Sequence, residues 1–210
     1  MADKKPGLNT AYALKTPQDS IDLYGNWAVT YDSEFAEVND YCYPALVAEL
    51  FAERFDANTP VLDVGAGTGL VGEGLATMGV SRVDALDISP EMLAVAMAKG
   101  CYHAAITADL TGPLNIADGA YGGITCAGTF TFGHVGPIAI DELIRIGASG
   151  ALYVLGIHAG VYESAGFAAK FAEYNDLIRG FEILDTPVYG AGAPAEMQKA
   201  RSSVAVFRKR

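Results

Sequence analysis

The stretch Val61–Gly69, VLDVGAGTG, joins a short apolar run to three glycines at alternate positions. An apolar run bounded by turn residues predicts a buried strand. Gly65 and Gly67 allow a sharp turn and leave the backbone open to a ligand because they carry no Cβ. Gly69 is expected to let the following helix pack closely against the strand. A nucleotide-type cofactor of either of two classes, or a purely structural turn, would explain this pattern.

Strands and helices alternate after this stretch. The runs VDALDI, HAAITA, YGGITCAG and GALYVLGI predict further strands, and helices are expected over residues 70–78, 90–99, 138–146 and 163–178. Ser89 is suited to a helix cap, Pro90 to the first helical position and Glu91 to the positive end of the helix. The alternation predicts an α/β fold, with a mostly parallel sheet that is covered by helices on both faces.

The two ends of the chain depart from this alternation. FEILDTPVY and SSVAVFRK are separated by the Gly- and Pro-rich segment YGAGAPAEMQKA, so we expect them to form an antiparallel pair at one edge of the sheet. Before the first strand, large apolar side chains recur every four residues, which predicts a helix face. These are Leu23, Trp27, Tyr31 and Phe35. We therefore expect a helical lid over residues 1–57 and a cofactor-binding domain over residues 58–210.

Composition excludes several classes of function. The chain has 210 residues, of which 51% are hydrophobic, and a formal net charge of -11, which disfavours binding to nucleic acid. It holds no apolar run of the length that spans a membrane, and MADKKPGLNT lacks the core of a signal peptide. We therefore expect a soluble, cytoplasmic protein without a membrane partner. Three widely spaced cysteines fit free thiols, and the three histidines lack metal-binding spacing, so no metal is expected.

Carboxylates lie at the ends of three successive expected strands. Asp87 can accept both hydroxyls of an adenosine ribose, and Asp109 can accept the exocyclic amine of an adenine that lies between Ile88 and Leu110. Asp63 would repel the diphosphate of a dinucleotide. It would favour a cationic amino-acid ligand, either directly or by fixing the amides of the glycine turn. These three acids favour S-adenosylmethionine, which carries a sulfonium and an ammonium group.

Two other hypotheses stay open. Residues 67–72, GTGLVG, match the GxGxxG pattern of NAD(P)- or FAD-dependent oxidoreductases. However, neither Tyr153 nor Tyr162 is followed by the lysine of a Tyr-x-x-x-Lys pair. The third hypothesis is a non-catalytic module that holds an adenosyl cofactor and binds a partner protein.

The sequence resembles the class I S-adenosylmethionine-dependent methyltransferases. VLDVGAGTG is similar to their first motif, the acid of ALDIS to the second, and TADL to the motif that contacts adenine. VLDVGAGTGLVGEGL, LDISPEML, ADLTGPL and CAGTFTFGHVGP further resemble the Williams–Beuren-region methyltransferase-like proteins. Those proteins also carry a W-A-x-x-Y-D element like residues 27–32. The resemblance implies a Rossmann-like sheet of seven strands with an antiparallel last strand, and S-adenosyl-L-homocysteine as a product.

We expect one set of residues to bind the cofactor and another to face the acceptor. The cofactor set is Tyr31, Asp63, Gly65, Ala66, Gly67, Gly69, Leu70, Asp87, Ile88, Met92, Ala108, Asp109, Leu110, Cys126 and Ala127. Substrate contacts are expected from Trp27, Thr129, Phe130 and His158. For Trp27 and Tyr31, ordinary packing of a helix on the sheet explains the pattern equally well.

The loop of residues 129–137 follows the fourth strand and is expected beside the transferred methyl group. It lacks an Asn-Pro-Pro-Tyr or Asp-Pro-Pro-Tyr tetrad and is rich in hydroxyl and aromatic side chains. His134 is a candidate catalytic base, since histidine titrates near neutral pH. Alternatively, it caps the helix after Pro137. We expect a small, neutral or cationic methyl acceptor, and leave a protein substrate open.

Overall fold

The computed structural model describes residues 6–210, and its centre is a seven-stranded sheet. The strands are β1 (Val61–Val64), β2 (Val83–Asp87), β3 (Ala104–Thr107), β4 (Tyr121–Phe130), β5 (Gly147–His158), β6 (Ile178–Pro187) and β7 (Arg201–Lys209). Their order is β3-β2-β1-β4-β5-β7-β6. β1 to β5 pair in parallel, whereas β7 runs antiparallel to both β5 and β6. The predicted fold class is confirmed.

The strand order reverses at β1, which has β2 on one side and β4 on the other. In open α/β sheets this reversal opens a crevice beyond the carboxyl ends of the strands, and ligands bind there. The glycine turn follows β1 at this point. The sheet therefore places the turn where a ligand is expected.

Helices cover both faces of the sheet and its carboxyl edge. They are α1 (Leu8–Ala11), α2 (Pro17–Trp27), a π-helix (Tyr31–Ala36), α3 (Tyr43–Ala52), α4 (Leu70–Thr77), α5 (Pro90–Ala98), α6 (Ala139–Ile146), α7 (Ala159–Tyr162), α8 (Phe167–Glu173) and a 3-10 turn (Met197–Lys199). Within residues 6–210 no helix is both long and apolar enough to cross a membrane.

Local signals locate several helix ends. The Ser89 side chain accepts the N–H of Met92 at 3.2 Å and Pro90 begins α5, as predicted. The single helix expected over 163–178 is wrong. Gly166 adopts a left-handed conformation (φ 90°) between α7 and α8, and β6 already begins at Ile178.

The N-terminal segment divides into two environments. Val47 and Phe51 of α3 are fully buried and belong to the same core cluster as residues of β1, β2 and β5. Trp27 and Phe35 instead pack in a separate aromatic cluster with Met92 of α5. α3 therefore belongs to the layer on the sheet, whereas α2 and the π-helix pack apart from it, and a lid over residues 1–57 stays a prediction. Residues 1–5 of the expected lid lie outside the described residues.

Candidate active site

A cavity of about 280 Å³ lies beyond the carboxyl ends of the parallel strands, and we name it the first cavity. Its walls come from the glycine turn, the ends of β2 and β4, the loop after β3, and helix α2. Most of the residues predicted to bind the cofactor line it. They are Tyr31, Gly65, Ala66, Gly67, Leu70, Asp87, Ile88, Met92, Asp109, Leu110 and Ala127.

The glycine turn forms one wall of the first cavity with its bare backbone. Gly67 has a φ of 54°, which L-residues with side chains rarely adopt, and a Cβ built there would meet no atom within 4 Å. Gly65 has a φ of 66°, and a Cβ there would overlap the Thr129 hydroxyl. Gly67 thus opens onto space that a ligand can fill, whereas Gly65 is required by packing.

Asp87 holds the turn in this shape. One of its oxygens, Oδ2, accepts the N–H of Gly67 at 2.9 Å, and Oδ1 accepts the N–H of Ser89 at 2.9 Å. Burial raises the pKa of Asp87, and these backbone hydrogen bonds oppose the rise. A carboxylate offers about four acceptor positions, so this side chain retains positions for a ribose diol.

Asp109 lies on the wall with Ile88 and Leu110, as the adenine hypothesis requires. Its Oδ1 accepts both the N–H of Thr111 at 2.8 Å and the Thr111 hydroxyl at 2.7 Å. Within the described residues, Oδ2 makes no hydrogen bond, so it is available to an amine donor.

Four of the predicted cofactor residues line neither this cavity nor the one described below: Asp63, Gly69, Ala108 and Cys126. Asp63 is fully buried and accepts the Tyr102 hydroxyl at 2.6 Å. That hydroxyl in turn accepts the N–H of Gly72 at 3.0 Å. Burial raises the pKa of Asp63 to about 7. Asp63 therefore acts on the beginning of α4 through Tyr102 and does not face the cavity.

The other three lie in packed positions. A Cβ on Gly69 would lie 3.0 Å from Cε2 of Tyr102 and 3.2 Å from Ala96, so this glycine serves close packing. Cys126 is a core residue, and burial raises the pKa of its thiol to about 12. Ala108 uses its N–H to bond the carbonyl of Asp87 at 3.0 Å.

Sequence reasoning missed the contribution of α2 to the first cavity. Thr16, Ser20 and Tyr24 line it. Their four-residue spacing places them on one helix face, and this was the available signal. Thr68 and Gly128 also line the cavity without having been predicted.

A second cavity of about 70 Å³ adjoins the first, since Tyr24, Tyr31, Tyr41, Gly128 and His134 line both. Its remaining walls are mostly aromatic and include Trp27, Phe35, Tyr43, Phe130, His158 and Tyr189. Three residues predicted to contact substrate, Trp27, Phe130 and His158, therefore lie here. The fourth, Thr129, lines the first cavity.

His134 lies at the boundary of the two cavities with both ring nitrogens bonded. Nδ1 lies 2.7 Å from the carbonyl of Phe132, and Nε2 lies 2.8 Å from the hydroxyl of Tyr24. A carbonyl only accepts, so we assign the ring proton to Nδ1, and the Tyr24 hydroxyl donates to Nε2. Burial lowers the pKa of His134 and favours the neutral ring. The alternative role as a helix cap is wrong, because α6 has no side-chain cap.

His158 has a local bonding role. Its Nδ1 accepts the N–H of Gly160 at 3.0 Å and caps the short helix α7. Its ring packs edge-on against Phe132, with centroids 4.9 Å apart. Burial lowers the pKa of His158. It thus forms part of the wall of the second cavity, with one ring nitrogen occupied by α7.

A polar network joins the π-helix to the cofactor side of the sheet. Asp32 accepts the Thr68 hydroxyl at 2.5 Å and pairs with Lys99 at 2.6 Å. Lys99 also pairs with Glu73 of α4 at 2.6 Å. We call these four residues the Asp32 network. They connect the π-helix, the glycine turn and the C-terminal end of α5.

Comparison with known proteins finds a similarity to methyltransferases in the central part of the chain. Residues 61–149 match the family model described as a methyltransferase domain. The match contains the glycine turn, Asp87, Asp109 and the loop with His134. This matched segment, less than half of the chain, is the part whose motifs resemble the class I S-adenosylmethionine-dependent methyltransferases. The open cradle at Gly67, the spare acceptor positions of Asp87 and the apolar walls at Ile88 and Leu110 fit that cofactor.

Human Methyltransferase-like protein 27 is 29% identical over 140 residues, which are 65% of this chain and 57% of the human protein. The alignment thus spans a little over half of that relative. Among solved structures, a methyltransferase from Aquifex aeolicus is 19% identical, with a TM-score of 0.60 over 88% of this chain and 98% of its own. The TehB-like methyltransferase from Corynebacterium glutamicum is 22% identical, with a TM-score of 0.61 over 89% of this chain and 98% of its own. The [4+2]-cyclase SpnF is 17% identical, with a TM-score of 0.68 over 93% of this chain and 97% of its own.

Packing at the glycine turn also bears on the dinucleotide hypothesis. The last glycine of GxGxxG, Gly72, is explained by packing, since a Cβ there would overlap the ring of Tyr102. Two of the three glycines in this pattern, Gly69 and Gly72, are therefore explained by packing against Tyr102. The oxidoreductase alternative is not supported by the family match.

Proposed function

We propose that this chain transfers a methyl group from S-adenosylmethionine to a small-molecule acceptor by in-line displacement. One observation carries the proposal: a larger cavity lined by the cofactor motifs adjoins a smaller aromatic one. Tyr24, Tyr31 and His134 stand on the shared boundary. A boundary of this kind brings a methyl donor and an acceptor within reach of each other.

In this reaction the residues of the chain mainly bind and orient the cofactor and the acceptor. Asp87 and the turn at Gly67 are suited to hold the ribose and the amino-acid end of the cofactor. When bound, S-adenosylmethionine supplies an electrophilic methyl on a positively charged sulfur. Aromatic faces such as Tyr31 attract such a cation by about 0.5–2 kcal/mol. Alignment of the two reactants is the main requirement of the displacement.

The walls of the second cavity support a small acceptor. Among the described residues, those walls carry no Asp, Glu, Lys or Arg, so a neutral or weakly cationic molecule fits them better than an anion. A protein substrate remains compatible with the acidic composition, which would steer a basic peptide. We also place the chain near the Williams–Beuren-region methyltransferase-like proteins, on the similarity to Methyltransferase-like protein 27. A cytoplasmic location stays a prediction, supported by three free cysteines.

The fold by itself does not specify methyl transfer, since one protein with this fold is named a cyclase. The test is a calorimetric titration of the protein with S-adenosylmethionine, S-adenosylhomocysteine, NAD and FAD. We expect saturable binding of the first two and none of the dinucleotides. Formation of S-adenosylhomocysteine with a panel of small acceptors then establishes turnover. Failure of both adenosyl ligands to bind would refute the proposal. Binding without turnover on any acceptor, with a stable partner in pull-downs, would favour the non-catalytic module.

A further inference from the structure

We infer that the second cavity receives a small phenol-type acceptor, and that the Tyr24 hydroxyl takes the proton of the acceptor and passes its own to His134. The inference rests on the proposed methyl transfer and names its substrate class. Tyr24 would touch the acceptor and is thus the catalytic residue. His134 acts through Tyr24 and is a positioning residue and final proton acceptor.

The orientation of the Tyr24–His134 pair carries the inference. The carbonyl of Phe132 holds the proton of His134 on Nδ1, so Nε2 presents a lone pair to the Tyr24 hydroxyl at 2.8 Å. No other group in the described part of the chain bonds the Tyr24 hydroxyl, so its oxygen keeps lone pairs free on a side chain that lines both cavities. An acceptor O–H can donate to that oxygen. The chain of bonds runs in one direction, from the acceptor to the imidazole.

The surroundings favour a neutral hydroxyl. The other titratable groups that line the two cavities share them with the Tyr24–His134 pair. At the second cavity they are Tyr12, Tyr31, Tyr41, Tyr43, Tyr189 and His158, and at the first they include Lys15, Asp87 and Asp109. Burial is the main cause that raises the pKa of Tyr24 and of each of these tyrosines. The tyrosine rings are thus neutral, and the residues between 6 and 210 that line the second cavity include no Lys or Arg that would pair with a carboxylate. An aromatic acceptor would stack against these rings.

A phenol matches the acidity of the relay. Tyr24 is itself a phenol, so the two oxygens between which the proton moves have similar intrinsic acidity. In the step, the acceptor O–H bond breaks as its oxygen bonds to the methyl carbon, and the carbon–sulfur bond leaves its electron pair on sulfur. The proton goes to the Tyr24 oxygen while Tyr24 gives its own to Nε2. The products are a methyl ether, S-adenosylhomocysteine and an imidazolium held by Phe132.

The first experiment needs no turnover. Protein saturated with S-adenosylhomocysteine is titrated with phenol, anisole, benzoate and benzylammonium. We expect phenol to bind, anisole to bind about tenfold more weakly because it lacks the O–H, and benzoate not to bind. Tyr24→Phe should abolish the preference for phenol over anisole. Tyr121→Phe, which removes a tyrosine–carboxylate hydrogen bond remote from both cavities, should preserve it. Equal affinity of phenol and anisole for the unmodified protein, or preferred binding of benzoate or benzylammonium, would overturn the inference.

The second experiment follows methyl ether formation from phenol against pH. We expect kcat/KM to fall as acid protonates His134. His134→Gln, which keeps an acceptor for Tyr24 but cannot take the proton, should lower kcat about 100-fold and remove that acid limb. His103→Gln is the matched control, since its ring is exposed and pairs with Asp84. A circular dichroism melt of each variant establishes that it is folded.

An unchanged acid limb in folded His134→Gln, or absence of ether formation despite phenol binding, would refute the relay. Failure of S-adenosylhomocysteine to bind the unmodified protein would instead refute the proposed function on which the relay rests.

Discussion

The hydroxyl of Thr68 donates a 2.5 Å hydrogen bond to the carboxylate of Asp32, and this bond joins the glycine turn to the π-helix. Thr68 is almost fully buried and lines the first cavity. The same carboxylate pairs with Lys99 at the end of α5. The segment that covers the cofactor cavity is thus bonded to the turn that is expected to hold the cofactor.

Loss of the Thr68 hydroxyl should weaken cofactor binding. A hydrogen bond to a charged group contributes about 1.5–3 kcal/mol, but solvent and Lys99 compensate Asp32 in part, so we expect Thr68→Val to raise the Kd of S-adenosylhomocysteine about three- to tenfold. Calorimetric titration measures this. Thr77→Val is the control, because its hydroxyl bonds a carbonyl within α4 on an exposed surface. An unchanged Kd in Thr68→Val would show that the bond has no part in binding.

Asp87→Asn should weaken cofactor binding more strongly than Thr68→Val does. The new amide would direct N–H groups at one of two backbone donors, Gly67 or Ser89, and would remove acceptor positions from the cavity wall. We expect the Kd of S-adenosylmethionine to rise about 10- to 100-fold. Asp84→Asn on the same strand is the matched control, since Asp84 bonds Tyr121 and His103 away from both cavities. Equal losses in the two variants would attribute the effect to the strand and not to the ribose site.

Asp63 should make stability depend on pH. The pKa of this carboxyl is about 7 in the folded protein, against an ordinary value of 3.8. Between pH 3.8 and about pH 7, the folded state therefore holds a proton that the unfolded state has lost. Stability therefore falls as pH rises from about 4 to about 7, by up to about 4 kcal/mol. Asp63→Asn should flatten this slope in urea unfolding. Asp56→Asn, at an exposed carboxylate, should retain it. A slope preserved in Asp63→Asn would assign it to other groups.

Gly72→Ala should destabilise the protein through a single contact. Gly72 is helical, where alanine is normally favourable, but its Cβ would overlap the Tyr102 ring. We expect a loss of about 1–3 kcal/mol in the free energy of unfolding. Combined with Tyr102→Ala, which removes the ring, the effect of Gly72→Ala should largely disappear. Gly112→Ala is the control, since a Cβ there meets nothing within 4 Å. Strictly additive losses in the double variant would contradict the overlap.

Local patterns sufficed for most of the fold. Ser89 and Pro90 mark the beginning of α5 by signals contained in neighbouring residues, and the loop between β6 and β7 is too short for a crossover, which predicts their antiparallel pairing. The division between α7 and α8 was not predicted because it depends on the left-handed conformation of Gly166, which apolar periodicity does not register.

The part of the candidate site that lies at the ends of the parallel strands could be predicted from the sequence. Asp87 and Asp109 lie at the ends of parallel strands, so the topology brings them to one cavity. The partners of Asp63 and His134 were not predictable in this way. Tyr102 reaches Asp63 from 39 positions further along the chain, and Tyr24 reaches His134 from 110 positions before it. Such pairs are set by tertiary packing, and no local spacing indicates them.

The position of β7 between β5 and β6 has a consequence for the order of assembly. β6 pairs with no strand other than β7 in the described sheet, so it cannot join the sheet until β7 has been synthesised. A nascent chain that has emerged only as far as the loop before Arg201 therefore holds a five-stranded sheet with β5 as an open edge. Once the nine residues of β7 are available, β7 and β6 can join the sheet together.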